Sequence, residues 1–218
     1  SLTWTLPAGD GLKTIYMQGR EILGNMNSPI SDTILLDTTL PSGDCAVMSD
    51  DGYVNNPAIT LSLWSYDENG VPDMQLRNSS VAWEDWIPYA ATQPWVLPSG
   101  EGEKHVGCRF RDTPGNVSSV YTASVVLDTT APTCQIMIND GEEYVNDLLV
   151  TLVLSSTDQY GAADMRFSND QTAWSTWEAY ASSRSWTLPE GSGDKTVWAQ
   201  FRDLAGNVAQ CQATVAAD

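Results

Sequence analysis

Hydrophobic and polar residues alternate along short segments of this chain, with a period of two. The clearest apolar series are Ile59, Leu61 and Leu63; Val150, Leu152 and Leu154; and Val197, Ala199 and Phe201. Alternation of this kind is typical of half-buried antiparallel strands. Turn-forming residues separate the segments, as in DENG (67–70) and PSGEG (98–102). No stretch has the period of an amphipathic helix, so the pattern predicts an all-β fold.

The same pattern repeats along the chain. Trp4, Trp95 and Trp186 open similar phrases and are 91 residues apart each time. Residues 53–120 align without a gap on 144–211, and about 30 of the 68 positions are identical. Thr3 to Asn27 match only the second half of this unit. We therefore expect an incomplete repeat at 1–38 and complete β-sandwich domains at 39–128 and 129–218.

The repeat resembles a known family. The segment GAADMRFSNDQTAWSTWEAYASSRSWTLPEGSGDKTVWAQFRDLAGNV (161–208), with LDTTAP (127–132) elsewhere, is similar to the immunoglobulin-like, fibronectin-III-like tandem repeats of large bacterial secreted and cell-surface proteins. This resemblance implies tandem immunoglobulin-like β-sandwich domains and an extracellular stalk, spacer, adhesin or filament subunit. Its partners would be other domains or subunits of a surface protein, and the family has no shared catalytic residues. The short linkers LDTTLP and LDTTAP, stiffened by Pro41 and Pro132, predict an extended rod.

Composition and charge argue against several classes of function. The chain of 218 residues has 10 basic and 28 acidic side chains, a net charge of −18. Such a surface repels nucleic acid and anionic lipid, and no apolar run approaches the roughly 20 residues of a membrane helix. The single histidine, His105, leaves little for acid–base chemistry. We expect neither nucleic-acid binding nor membrane insertion, and no enzymatic activity.

Each complete repeat contains two cysteines, Cys45 and Cys108 in one and Cys134 and Cys211 in the next. No C-x-x-C spacing suggests a zinc or redox site. One intradomain disulfide per sandwich is the natural pairing, and four buried free thiols are the alternative.

Two sets of aspartates are candidate calcium ligands. In immunoglobulin-like sandwiches two loops and the incoming linker share one end, which would gather Asp37, Asp67 and Asp112 in one unit. The matching set is Asp128, Asp158 and Asp203. Three carboxylates with backbone carbonyls suit a hard cation. Alternatively these residues cap turns locally or pair with Arg111 and Arg202. Apart from calcium, we expect no cofactor.

The nine tryptophans raise the alternative of a carbohydrate-binding module attached to a secreted enzyme. Seven recur at repeat positions, and core packing is expected for them: Trp4, Trp95 and Trp186; Trp83 and Trp174; Trp86 and Trp177. Trp64 and Trp198 do not recur and fall on the outward phase of their strands. They are the candidates for contact with a glycan or another protein.

The incomplete repeat is expected to be unstable by itself. Trp4, Leu6, Ile15 and Met17 would lie on an uncovered sheet face beside an unpaired strand edge. A fragment boundary, a processed product with its upstream piece still bound, and completion by another subunit are the three explanations.

Overall fold

The computed structural model describes residues 3–79 and 81–218. Strands are the regular elements of these residues, apart from a short 3₁₀ turn at Asn139–Gly141. No helix in the described ranges is long and apolar enough to cross a membrane. The all-β prediction is confirmed.

The N-terminal part is a two-stranded antiparallel sheet made of β1 (Gly11–Met17) and β2 (Ile30–Leu36). Many of its large apolar side chains are exposed: Trp4, Leu12, Tyr16, Met17, Ile30 and Ile34. Leu6 and Ile15 are half-buried. Exposed apolar side chains lie on both faces of this sheet, since Met17 and Ile30 share one face whereas Leu12 and Tyr16 take the other. That the partial repeat leaves one apolar face uncovered stays a prediction.

The first sandwich comprises the next eight strands. They are β3 (Ser42–Val47), β4 (Tyr53–Val54), β5 (Ala58–Tyr66), β6 (Asp73–Asn78), β7 (Ile87–Pro88), β8 (Thr92–Val96), β9 (Gly102–Arg111) and β10 (Tyr121–Leu127). One sheet has the order β3-β5-β8 and the other β4-β10-β9-β6-β7. β4 pairs with β10 in parallel, and β6 pairs with β9 in antiparallel.

The second sandwich repeats this topology. Its strands are β11 (Gln135–Ile138), β12 (Tyr144–Val145), β13 (Leu149–Ser155), β14 (Ala162–Ser168), β15 (Glu178–Ala179), β16 (Ser183–Thr187), β17 (Gly193–Asp203) and β18 (Val208–Ala217). The sheets run β11-β13-β16 and β12-β18-β17-β14-β15. Cα packing separates two compact units: residues up to Ala46 with Leu61–Gln93 and His105–Ala123, and Val47–Thr60 with Pro94–Lys104 and Ser124–Asp218.

The apolar phase of each strand forms the core. The nine residues singled out from the alternating pattern, from Ile59 to Phe201, are all buried. In the second sandwich they pack with further buried side chains, which include Ile136, Met165, Phe167, Leu188 and Val215. The sequence phase therefore predicts which side chains fill the core.

A disulfide closes each sandwich. Cys45 of β3 is bonded to Cys108 of β9, and Cys134 beside β11 is bonded to Cys211 of β18. These are the pairings expected from the sequence. The bonds do not occupy equivalent places, because Gly43 stands at the repeat position of Cys134 and Ala199 at that of Cys108.

Gly43 is required by close packing. A Cβ atom at this position would lie 2.6 Å from a ring carbon of Phe110 and 2.7 Å from the backbone oxygen of Trp64. We expect Gly43→Ala to destabilise the chain by about 1–3 kcal/mol through overpacking, measured by urea unfolding. In the Gly43→Ala background, the further change Phe110→Leu should destabilise the chain less than it does in the wild type, because the smaller side chain relieves the contact with the new Cβ atom. Strictly additive costs would contradict the steric explanation.

Candidate metal sites

The Asp37 cluster consists of Asp37, Asp67 and Asp112, which directly follow β2, β5 and β9. One carboxylate oxygen of each lies within 4.8 Å of the other two, and Asp37 and Asp112 are buried. The structure therefore brings together the three residues that the sequence suggested.

The Asp128 cluster consists of Asp128, Asp158 and Asp203, at the ends of β10, β13 and β17. One carboxylate oxygen of each again lies within 4.8 Å of the other two, and the burial matches that of the Asp37 cluster: Asp128 and Asp203 are buried and Asp158 is half-buried. Calcium binding at either cluster remains a prediction.

Backbone amides hold the carboxylates in place. Asp112 Oδ1 accepts hydrogen bonds from the N–H groups of Gly115 and Asn116, both at 2.7 Å. In the second sandwich Asp203 Oδ1 accepts from Asn207 N–H at 2.9 Å. The aspartates do cap turns, as the alternative explanation required, and the capping leaves their charges clustered.

The other alternative, pairing with Arg111 and Arg202, is wrong. The Arg111 guanidinium donates to Asp73, and the Arg202 guanidinium donates to Asp164. Both arginines point outward from their strands, whereas Asp112 and Asp203 take the next, inward phase. Neither cluster is therefore neutralised by these arginines.

An asparagine connects each cluster to the preceding linker. Asn116 Nδ2 donates to Asp112 Oδ2 at 2.8 Å and to the backbone oxygen of Asp37 at 3.2 Å. Asn207 Nδ2 makes the same pair of bonds, to Asp203 Oδ2 and to the backbone oxygen of Asp128. This role of the asparagines was not predicted from the sequence, although the recurring G-N pair at 115–116 and 206–207 was a signal for it.

An exposed acidic residue that does not belong to the clusters also binds each linker. Asp10 accepts from Thr38 N–H and the Thr39 hydroxyl, and Glu101 accepts from the N–H and hydroxyl of Thr129. The threonine hydroxyl bonds, followed by the backbone bonds, lower the pKa of both carboxyls. These contacts also escaped sequence analysis, because an acid in a variable turn is not distinguishable from a solvated one.

The two clusters differ in the hydrogen bonding of their linker aspartates, Asp37 and Asp128. Asn69 Nδ2 donates to Asp37 Oδ2 at 2.9 Å. Tyr160 stands at the repeat position of Asn69, and within the described residues Asp128 Oδ2 has no hydrogen-bond partner. Asp128 is only 2% exposed, and its burial, followed by repulsion from Asp158 and Asp203, raises the pKa of its carboxyl.

Four of the recurring tryptophans do not lie in the core, which corrects the expectation for them. Trp83, Trp86, Trp174 and Trp177 are half-buried and stack on arginines. Arg109 lies 4.3 Å from the ring centre of Trp83, and Arg202 lies 4.6 Å from that of Trp177. Each cation–π contact is worth about 0.5–1 kcal/mol. The tryptophans recur because the outward arginines of β6, β9, β14 and β17 stack on their rings in both sandwiches.

The remaining tryptophans have different surroundings. Trp186 packs against the core, with its ring centre 5.6 Å from that of Phe167, and Trp95 is half-buried. Trp4 is exposed, so the expectation of core packing is wrong for it as well. Of the outward candidates, Trp64 is 57% exposed and Trp198 is half-buried. Only Trp64 of this pair offers a large open face.

A loop capped by Asp170 positions Trp174. Asp170 Oδ1 accepts from the N–H groups of Ala173 and Thr172, both at 2.8 Å, and Trp174 Nε1 donates to Gln171 O. The bonds from Ala173 and then Thr172 lower the pKa of the Asp170 carboxyl from 3.8 to about 2.

This lowered pKa gives a testable pH dependence. A carboxyl with a depressed folded-state pKa stabilises the fold above its unfolded pKa, and the contribution is lost as pH falls through the folded pKa. We expect Asp170→Ala to lower the melting temperature at pH 7, with the difference from the wild type shrinking as pH falls below about 4 and reaching its minimum only below about pH 2. Asp170→Asn, which keeps an acceptor but does not titrate, is the matched control. A difference that is constant down to pH 2 would contradict the assignment.

Comparison with known proteins supports the fold. No protein-family model matches the chain, and no curated protein sequence matches it. Among solved structures, the fibronectin(III)-like modules of Clostridium thermocellum CbhA match with a TM-score of 0.52 and 12% identity, over 79% of this chain and 92% of theirs. A tetra-tandem repeat from the extending region of a large adhesion protein matches with a TM-score of 0.36 and 20% identity, over 96% of this chain and 57% of that one. The FN1–FN3 domains of chicken CNTN1 match with a TM-score of 0.49 and 9% identity, over 94% of this chain and 75% of theirs. The CbhA match, together with the repeated sheet order, shows that the chain has an immunoglobulin-like, fibronectin-III-like β-sandwich fold.

Proposed function

We propose that this chain is an extracellular structural or adhesion module, acting as a stalk, spacer or assembling subunit of a surface protein. The observation that carries the proposal is the repeated construction: two sandwiches of one topology, each closed by its own disulfide and each preceded by a linker held by side-chain hydrogen bonds. Such tandem modules suit a spacing role.

The disulfides and the surface charge support an extracellular location. Structural disulfides form and persist in oxidising compartments and are rare in the cytosol. The four cysteines are all paired in the described chain. A net charge of −18 keeps such a module soluble and self-repelling outside the cell. We infer that the chain is not an enzyme, since its most conspicuous carboxylates are hydrogen-bonded to backbone amides.

The location is tested on protein recovered from its native source. Thiol alkylation before reduction, followed by peptide mapping, should recover the Cys45–Cys108 and Cys134–Cys211 peptides and no alkylated thiol. Fully alkylated cysteines in protein from an intracellular fraction would contradict the proposal.

Carbohydrate binding is a second candidate function, favoured by one observation. Trp64 and Tyr66 lie on the same outward face of β5 and are 57% and 63% exposed. Two adjacent aromatic faces on a strand form an apolar patch that a sugar ring can stack on. Binding on a glycan array, lost in Trp64→Ala and Tyr66→Ala but kept in Trp198→Ala, would establish this function. Absence of binding by the wild type would leave the structural role.

A further inference from the structure

We propose that the Asp128 cluster is a binding site for a hard divalent cation, calcium, and that the Asp37 cluster is closed by its own asparagine and binds none. This inference concerns the chemistry of the two clusters. It holds whether the chain serves as a spacer or binds a glycan.

The first argument is the unsatisfied oxygen of Asp128. Its side chain is almost fully buried beside two further carboxylates, and none of the described residues donates to its Oδ2. A buried carboxylate oxygen without a donor costs free energy, and like charges held close together add to that cost. A cation shared by Asp128, Asp158 and Asp203 removes both costs at once.

The second argument is the comparison of the clusters within one chain. The capping bonds to Thr39 and Thr130, and the asparagine bonds to the linker oxygens, are the same in both. The difference that concerns the buried linker aspartate lies in one loop, where Asn69 supplies its amide to Asp37. The Asn69 backbone is itself fixed, because its oxygen accepts from the Thr113 hydroxyl at 2.8 Å.

In the second sandwich both members of that arrangement are replaced. Tyr160 takes the place of Asn69, and Leu204 takes the place of Thr113. The Tyr160 hydroxyl accepts from Gln159 Nε2 at 3.0 Å, while its N–H donates to Asp158 Oδ1 at 2.7 Å. None of the described residues replaces the partial positive charge that the Asn69 amide hydrogens bring to the Asp37 cluster, and a cation from solution can take that role at the Asp128 cluster.

The ligand set favours calcium. All three side chains offer oxygen only, and neither histidine nor cysteine sulfur belongs to the cluster. Calcium accepts six to eight oxygens in flexible geometry, so backbone carbonyls and waters can complete its shell. Magnesium demands a closer octahedron and gives up its waters reluctantly, and softer metals prefer nitrogen or sulfur.

The experiment is a calcium titration of the whole chain after removal of metal with a chelator, by calorimetry and by melting temperature. We expect one calcium per chain and a melting temperature that rises with calcium, since an ion that binds the folded state stabilises it. Asp158→Asn keeps the Oδ1 acceptor for Tyr160 N–H but removes a charge, so it should weaken binding about tenfold or more. Asp67→Asn, the matched change in the Asp37 cluster, should leave the affinity unchanged.

Exchanging the loop residue tests the cause of the difference. Tyr160→Asn should place an amide on Asp128 and weaken calcium binding, whereas Asn69→Tyr should create a second binding equivalent. Either exchange remains informative if Asp158→Asn does not fold. No calcium effect on the wild type, two equivalents in the wild type, tighter binding by Tyr160→Asn, or an equal loss in Asp67→Asn and Asp158→Asn would each overturn the proposal. These outcomes leave the disulfide and glycan tests untouched, so failure here is distinguishable from failure of the proposed function.

Discussion

Replacing Cys134 and Cys211 together by alanine is expected to destabilise the second sandwich by about 4 kcal/mol. The bond joins residues 77 apart in sequence, so its loss releases a long loop in the unfolded chain. In the chain-entropy model that freedom favours unfolding. Hydrogen exchange of the β17 and β18 amides in the oxidised protein measures the loss where it arises.

The matched control is the double alanine variant of Cys45 and Cys108, whose bond spans 63 residues. It should accelerate exchange in β6 and β9 by a similar factor and leave β17 and β18 largely protected. A change below about 1 kcal/mol in the Cys134/Cys211 variant would show that the unfolded state retains the constraint by other means.

Phe201→Ala is expected to cost about 4 kcal/mol, the usual range for a buried phenylalanine being roughly 3–5. Phe201 has no exposed surface, and its ring meets Tyr180 edge-on with the ring centres 5.9 Å apart. The truncation removes this contact and leaves a cavity in the core of the second sandwich. Chemical denaturation monitored by β17 exchange measures the effect.

Phe201→Leu is the control for chemistry at the same site. It keeps most of the apolar volume and should cost clearly less than Phe201→Ala. Equal costs for the two variants would mean that the ring contact with Tyr180, and not the cavity, dominates.

Much of the fold was predictable because it rests on two repeating patterns. The alternation of Val197, Ala199 and Phe201 with polar neighbours gives a strand only one way to bury its apolar side chains. The 91-residue repeat then implies that β9 and β17 have equivalent neighbours. The meeting of Asp37, Asp67 and Asp112 followed from the topology alone, since three chain segments enter one end of the sandwich.

Other features depended on side-chain choices that a pattern does not specify. Trp83 and Trp177 recur as core residues would, yet they lie on an outer face. They recur there because each stacks on an outward arginine. Asn69 and Tyr160 are both ordinary turn residues in the sequence. Only the positions of Asp37 Oδ2 and Asp128 Oδ2 show that one of them donates a hydrogen bond to its cluster and the other does not.

The unequal placement of the two disulfides has a mechanical consequence. Between Cys134 and Cys211 nearly the whole second sandwich is covalently closed, so a pulling force can straighten only short tails outside the bond. In the first sandwich the bond ends at Cys108, and β10 lies beyond it. Residues 109–128 can then peel away and lengthen to on the order of 70 Å, at ~3.3–3.6 Å per residue. Under tension the first repeat would lengthen by unfolding this segment and so absorb work, whereas the second would behave as an almost inextensible link.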